Sequence, residues 1–278
     1  MPYIKVGQEK GEDILVSYAD YGEGKPVVLI HGWPLSHRMW EQQIGFLVGT
    51  GNRVIAYDRR GFGESYKPWD GYDYDTFSSD LAAIMETLDL HEATLVGFSM
   101  GGGEVARYIG THGTSRVAKA VLMSSITPYL LKNSNNSEGV DGSIFDGMLA
   151  GLAKDRPGFL EQFCKQFVNW EEDGKDLVSQ AALNHSWDIA VWANPKATLA
   201  CVEAFSSTDF RPDLTKFNLP TLVIHGDNDK VVPFVASGQR VAALIPHAKL
   251  EVISGGAHGL TYTQPQQVNT LLADFLRE

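Results

Sequence analysis

A serine attacks a carbonyl only when one group takes its proton and others hold the oxyanion that forms. Ser99 is the residue best placed for that chemistry. It stands in Gly97-Phe98-Ser99-Met100-Gly101, after the apolar run ATLVGF and before the amphipathic stretch MGGGEVARYI. A G-x-S-x-G turn from strand to helix lifts the hydroxyl clear of a sheet and aims the first helical amides at developing negative charge. Glycine is needed on both flanks because a β-carbon there would collide with the adjoining strand or helix. In a chain with 28 glycines the five-residue pattern is weak by itself, since a glycine-rich helix start with a solvated serine has the same spelling. Gly102 and Gly103 are expected to let the helix pack closely on the sheet.

Eight histidines compete as the base. His31 and His225 end strand-like runs, whereas His37, His91, His112, His185 and His247 fall in helices or surface connections. His258 lies in the loop Ser254-Gly255-Gly256-Ala257-His258-Gly259, between the last strand-like and the last helix-like segments. It is expected to be the base, the alternative being a surface turn residue. The acid that fixes its tautomer is sought in the loop after PTLVIHG, which offers Asp227 and Asp229. Asp229, four residues before Pro233, sits farther out along the loop and is expected to face the imidazole. Asp227 is expected to tie down the turn through its own backbone. The chain order Ser99, Asp229, His258 is that of α/β hydrolases and differs from the chymotrypsin and subtilisin orders.

The first buried run ends in His31-Gly32-Trp33-Pro34. Trp33 keeps its backbone N–H and Pro34 has none, so Trp33 and Met100 are the expected oxyanion donors. Pro34 also biases Trp33 toward extended geometry. A Trp33 carbonyl turned toward the acyl centre would accept a hydrogen bond from hydrogen peroxide and favour it over water.

These residues need a scaffold. The runs PVVLI, RVIAYD, ATLVGF, VAKAVLM, PTLVIHG and AKLEVI read as buried strands. Helical spacing falls between them at Thr76 to Leu88, Met100 to Thr111, Pro233 to Ile245 and Gln264 to Arg277. Alternation of this kind implies an α/β fold with a mainly parallel sheet flanked by helices. The rhythm breaks for roughly 90 residues, too many for a loop. There, Gly142 to Leu152, Pro157 to Val168, Lys175 to Leu183 and Pro195 to Phe205 are candidate short helices. The chain thus divides into a core, residues 1–125 and 218–278, and a helical cap, residues 126–217, inserted before the last two strands and expected to act as a lid.

Composition narrows the function. The 278 residues carry 23 Lys plus Arg against 34 Asp plus Glu, a formal charge of −11, which argues against nucleic acid as a partner. Cys164 and Cys201 fit neither a disulfide framework nor a zinc cluster and read as buried thiols. No signal-like segment and no apolar stretch of about 18 residues occurs, so a soluble, cytoplasmic protein without membrane association is expected. The acidic run Glu171-Glu172-Asp173 reads as a solvated face, and Arg59-Arg60 as a loop anchor.

The strings HGWPLSHRMWEQQ, AYDRRGFGES, GYDYDTFSSDL, LVGFSMGGGEVARYI, AFSSTDFRPDL and LVIHGDNDKVVPF together resemble the bacterial arylesterase and cofactor-free haloperoxidase (perhydrolase) family of α/β hydrolases, with the γ-lactamases as neighbours. The resemblance covers nearly the whole chain. It implies the same triad and the same oxyanion donors, and neither haem nor metal. It implies a small ester as substrate and an acyl-enzyme that passes its acyl group to water or hydrogen peroxide, the released peracid oxidising halide in solution. It also suggests Ile126, Phe145, Phe163, Phe205, Val231 and Leu260, with Pro34, as substrate-binding residues, although plain core packing would place the phenylalanines equally well. Members commonly form symmetric homo-oligomers. Two rival readings stand beside the esterase: an amidase of the γ-lactamase kind on the same triad, and a non-catalytic small-molecule receptor. Serine at the elbow argues against the haloalkane dehalogenases and epoxide hydrolases, which carry aspartate there.

Overall fold

The computed structural model describes residues 1–278. The chain opens with a hairpin that its polar N-terminus does not announce: β1 (Tyr3–Glu9) and β2 (Glu12–Tyr21) pair antiparallel around Lys10-Gly11, both at positive φ. Next come β3 (Lys25–Ile30), α1 (Glu41–Gly49), β4 (Asn52–Tyr57), α2 (Tyr74–Thr87), β5 (Ala93–Phe98), α3 (Met100–His112) and β6 (Val117–Met123). The strands form one eight-stranded sheet in the order β1-β2-β4-β3-β5-β6-β7-β8, with β7 (Thr221–Gly226) and β8 (Lys249–Ile253) closing it. From β4 onward every pairing is parallel. All six residues of β5 are buried, as expected for a central strand covered on both faces.

Between β6 and β7 lie α4 (Gly142–Phe167), α5 (Lys175–Leu177), α6 (Gln180–Val191), α7 (Pro195–Ser207) and α8 (Arg211–Leu214). The two helices expected at Gly142 to Leu152 and Pro157 to Val168 join as α4, broken at Asp155, which has φ −154° and ψ 85°. The Asp155 carboxylate accepts from the Gly158 amide at 3.1 Å and so caps the second limb, whose first turn holds Pro157. The expected Lys175 to Leu183 helix is instead split. Ser179 accepts from the Ala182 amide and starts α6, which runs on to Val191. The remainder is α9 (Gly238–Leu244), α10 (Leu260–Thr263) and α11 (Pro265–Arg277). α9 begins later than Pro233 because a 3-10 turn at Phe234–Ala236 and a non-helical Ser237 precede it. No helix is long and apolar enough to cross a membrane.

Two glycines decide how α3 leaves the sheet. A β-carbon at Gly97 would lie 2.4 Å from the Gly101 carbonyl oxygen, and one at Gly101 would lie 2.4 Å from that of Ile30. Gly102 and Gly103 serve a different purpose from the one expected. Their missing side chains make room for Ser125 in the loop after β6, and for Phe210 and Tyr74, rather than for the sheet. Gly97→Ala should therefore strain the turn and lower stability by about 1–3 kcal/mol. Urea unfolding checks this: the midpoint should fall with little change in slope, and a wild-type midpoint would show that the turn yields freely.

Candidate active site

Ser99 occupies the β5–α3 turn with φ 52° and ψ −117°, a conformation side chains rarely take, and is buried. Its Oγ lies 2.9 Å from His258 Nε2. His258 Nδ1 lies 2.7 Å from Asp229 Oδ2. Both His258 and Asp229 are buried. Thus three segments, the elbow, the loop after β7 and the loop after β8, bring hydroxyl, imidazole and carboxylate into one line.

The surroundings explain why the line holds. Asp229 Oδ1 accepts from the Val231 and Val232 amides at 2.9 and 2.7 Å, and His225 Nε2 lies 3.3 Å from Oδ2. Burial alone would raise the pKa of this carboxyl. The charge that His258 carries when protonated, with the imidazole N–H groups of His225 and His258, more than reverses that and holds it well below the usual carboxylate range. The His258 ring sits between Phe98 and Phe167, each 5.0 Å away between centroids. The Gly259 amide donates to the Phe167 carbonyl at 2.7 Å, so the end of α4 fastens the base loop. Asp227 does not tie its own turn: Oδ1 accepts from the Gly255 amide at 2.7 Å, joining the acid loop to the base loop.

His225 was legible in the sequence only as a strand end. Nε2 donates to the Val232 carbonyl at 2.9 Å, and Gly238 leaves room for the ring, since a β-carbon there would lie 2.7 Å from Nδ1. Glu172 is exposed together with Glu171 and Asp173, as expected of a solvated face, and from there pairs with Lys230 and accepts from Asn228 Nδ2 at 3.2 Å, both in the acid loop.

On the other side of Ser99, a β-carbon at Gly32 would lie 2.7 Å from the Phe98 ring and 3.1 Å from Ser99 Cβ, so the loop after β3 lies directly against the nucleophile. The Trp33 amide is hydrogen-bonded to nothing, and the Met100 amide, first of α3, has no intrahelical acceptor. The Trp33 indole is gripped by the inserted helices. Nε1 donates to the Thr198 carbonyl at 3.1 Å, and its ring meets Phe163 and Phe205 edge-on. Pro34 follows through a cis peptide bond and is buried.

An apolar cavity of about 40 Å³ adjoins Ser99, Trp33 and Met100. Of the residues suggested for it, Ile126, Phe145, Phe163, Phe205 and Val231 line it. Leu130, Val140, Ile144, Met148 and Val232, not singled out in the sequence, line it too. Two suggested residues do not. Leu260 is fully buried against Gly256, and Pro34 is buried without lining the cavity. Ile144 is exposed and marks the mouth. Larger clefts exist, one of about 470 Å³ beside Asp58, Glu64 and His185, but no reacting serine opens into them. Cys164 and Cys201 are buried and unbridged, burial pushing each thiol up to about 12. No group of three or more His, Cys, Asp or Glu side chains is placed to hold a metal ion.

Sheet, elbow and the line of three side chains define an α/β hydrolase, and residues 25–265 match the alpha/beta hydrolase fold family, to which the chain belongs. Within it the chain is similar to two kinds of protein. It is 42% identical to the non-heme chloroperoxidase CPO-A1 of Kitasatospora aureofaciens (96% of this chain, 98% of the relative). It is 38% identical to the bifunctional esterase/perhydrolase DCH of Acinetobacter calcoaceticus (98% and 99%). Its structure superposes on that of a bromoperoxidase from Bacillus anthracis with a TM-score of 0.96 at 51% identity, covering 100% and 99% of the two chains.

A depressed carboxyl pKa contributes stability that is present above the unfolded value, about 3.9, and is lost as pH falls through the folded one. Asp229→Asn removes that contribution. Urea unfolding at pH 5 and pH 3 should show wild type losing more stability across the interval than the variant. Equal losses would mean that Asp229 is not held ionised by its neighbours.

Proposed function

We propose that the chain is a carboxylic ester hydrolase working through an acyl-enzyme on Ser99, and that it passes short acyl groups to water or to hydrogen peroxide. The observation that carries this reading is the unbroken line from Asp229 through His258 to Ser99 Oγ, ending at a small apolar cavity.

His258 accepts the Ser99 proton as Oγ attacks the ester carbonyl, and ionised Asp229 stabilises the imidazolium and fixes its tautomer. The oxyanion is held by the amides of Trp33 and Met100. The imidazolium then protonates the departing alcohol. Deacylation repeats the step with water or hydrogen peroxide as the nucleophile, its proton going to His258 and then to Ser99 Oγ, so that a carboxylic acid or a peracid leaves. Peracid carries its oxidising oxygen into solution, where it turns halide into hypohalous acid and is itself reduced to the carboxylic acid. The haloperoxidase and esterase/perhydrolase names of the relatives support a single site for both outcomes.

Size sets the acyl group. The cavity beside Ser99 is small and closed in by Phe145, Phe163 and Phe205, which suits a short chain such as acetyl or propionyl. The alcohol side, beyond the carbonyl, meets the mouth near Ile144. In a bicyclic γ-lactam the scissile amide bond lies within the ring, so the rigid ring system spans the acyl and leaving-group sides together and cannot place a short chain in the cavity with its leaving group at the mouth, which favours ester over lactam. Trp33 O accepts no hydrogen bond from the protein, which supports a role for it in receiving one from peroxide at the acyl-enzyme.

Two experiments bear on this. In a panel of aryl esters run beside a bicyclic γ-lactam, acetate and propionate should be preferred and Ser99→Ala should abolish turnover. Phe205→Ala should raise the ratio of kcat/KM for a hexanoate ester to that for the acetate about tenfold. Preference for hexanoate in wild type, or lactam turnover exceeding ester turnover, would overturn the substrate assignment. Separately, Pro34→Leu should lower the ratio of peracid formation to hydrolysis at fixed peroxide. An unchanged ratio would remove the loop carbonyl from the account.

A further inference from the structure

The two amides assigned to the oxyanion come from distant parts of the chain, so their separation must be set by something other than local backbone geometry. A buried hydrogen-bonded chain joins the segments that carry them. Glu104, one turn into α3 from Met100, accepts from Arg59 Nε at 2.7 Å and from the Tyr57 hydroxyl. Arg59 Nη2 donates to the His31 carbonyl at 2.9 Å, and the Arg59 backbone amide donates to His31 Nε2 at 2.9 Å. His31 Nδ1 lies 2.9 Å from the Gly32 carbonyl oxygen. Arg59, Glu104 and His31 are all buried, and the Arg59 guanidinium also lies 5.3 Å from the Phe77 ring.

The tautomer follows from this geometry. Nε2 accepts from an amide, so in the neutral ring the proton sits on Nδ1, which donates to the Gly32 carbonyl. Burial first, then the Arg59 charge, lowers the His31 pKa to about 3, so the ring is neutral near pH 7. The Gly32 carbonyl and the Trp33 N–H belong to one planar trans peptide and point in opposite directions. Fixing the carbonyl therefore fixes the N–H. The Leu35 amide, 3.0 Å from the same oxygen, adds a second restraint.

We propose that His31 is a positioning residue of the oxyanion hole: its Nδ1–H aims the Trp33 amide, and the Arg59–Glu104 pair ties that aim to the helix carrying Met100. This rests on the acyl-enzyme reading and adds to it a residue that touches neither substrate nor nucleophile. The ring has two separable duties. Asparagine at position 31 can keep a donor near Nδ1 but loses the acceptor for the Arg59 amide. Glutamine can keep the acceptor and loses the donor. Leucine loses both.

The test compares wild type with His31→Asn, His31→Gln and His31→Leu, measuring kcat and KM for an aryl acetate and the affinity of methylboronic acid, whose tetrahedral serine adduct occupies the oxyanion site with a methyl group in place of the acetyl chain. Melting curves establish that each variant folds. His31→Gln and His31→Leu should lose about tenfold or more in kcat, with KM within about twofold and boronate affinity weakened in parallel. His31→Asn should recover most of both. If His31→Leu does not fold, the Asn and Gln pair decides: equal kcat and equal boronate affinity in these two overturn the proposal. Labelling of wild-type Ser99 by a fluorophosphonate is followed in the same preparations. Failure to label would sink the acyl-enzyme reading itself, whereas labelling with unaltered kcat in every variant would sink only the role of His31.

Discussion

A carboxylate cut off from water is tolerated only where the protein supplies the hydrogen bonds that water would have made. Asp229 is in that position, and much of the site follows from satisfying it. Two amides of its own loop cap one oxygen, and two imidazoles face the other. His225 reaches from the end of β7 and also holds the Val232 carbonyl, which pins the loop that supplies those amides. With one His258 nitrogen committed to Asp229, the other is left facing Ser99. One buried charge thus sets the direction of the base before any substrate arrives.

The helices between β6 and β7 contribute more than a cover. At the end of α4, Gln166 Nε2 donates to the Lys230 carbonyl, Asn169 Nδ2 to the Asn228 carbonyl, and Phe167 accepts from Gly259. The same stretch therefore buttresses both the acid loop and the base loop. On the opposite side, Thr198, Phe163 and Phe205 hold the Trp33 indole while the two phenylalanines line the cavity. Residues that measure the acyl group also locate an oxyanion donor. Changes to Phe163 or Phe205 made to alter chain-length preference should consequently disturb kcat as well as KM, since binding and transition-state geometry share a support.

The legible parts of the chain were those whose signal is local. Apolar runs such as ATLVGF and PTLVIHG mark strands that are buried on both faces, and the elbow spells itself out in five residues. His258 and Asp229 could be selected because chain order and loop position restrict the choice to a few candidates. The hairpin of β1 and β2 gave no such run: it lies at the sheet edge with many exposed residues, so its polar sequence looks like a tail. His225, Asp227 and Glu172 acquire their roles from partners reached only after folding, and nothing in their own neighbourhoods names those partners. Leu260 and Pro34 show the reverse case. Both stand next to site residues in sequence, yet neither lines the cavity, because adjacency along the chain does not fix which way a side chain faces. Cavity size was beyond sequence altogether, depending on how Phe145, Phe163 and Phe205 from two different helices meet.

The most direct measurement of the central claim is to mix the protein with p-nitrophenyl acetate, quench in acid within the first turnovers, and map the digested peptides by mass. An acetyl group should appear on the peptide containing Ser99, decay once the ester is consumed, and decay faster when hydrogen peroxide is present. Full turnover with Ser99 unmodified at every time point, or an acetyl group accumulating on a different residue at the rate of turnover, would contradict the account.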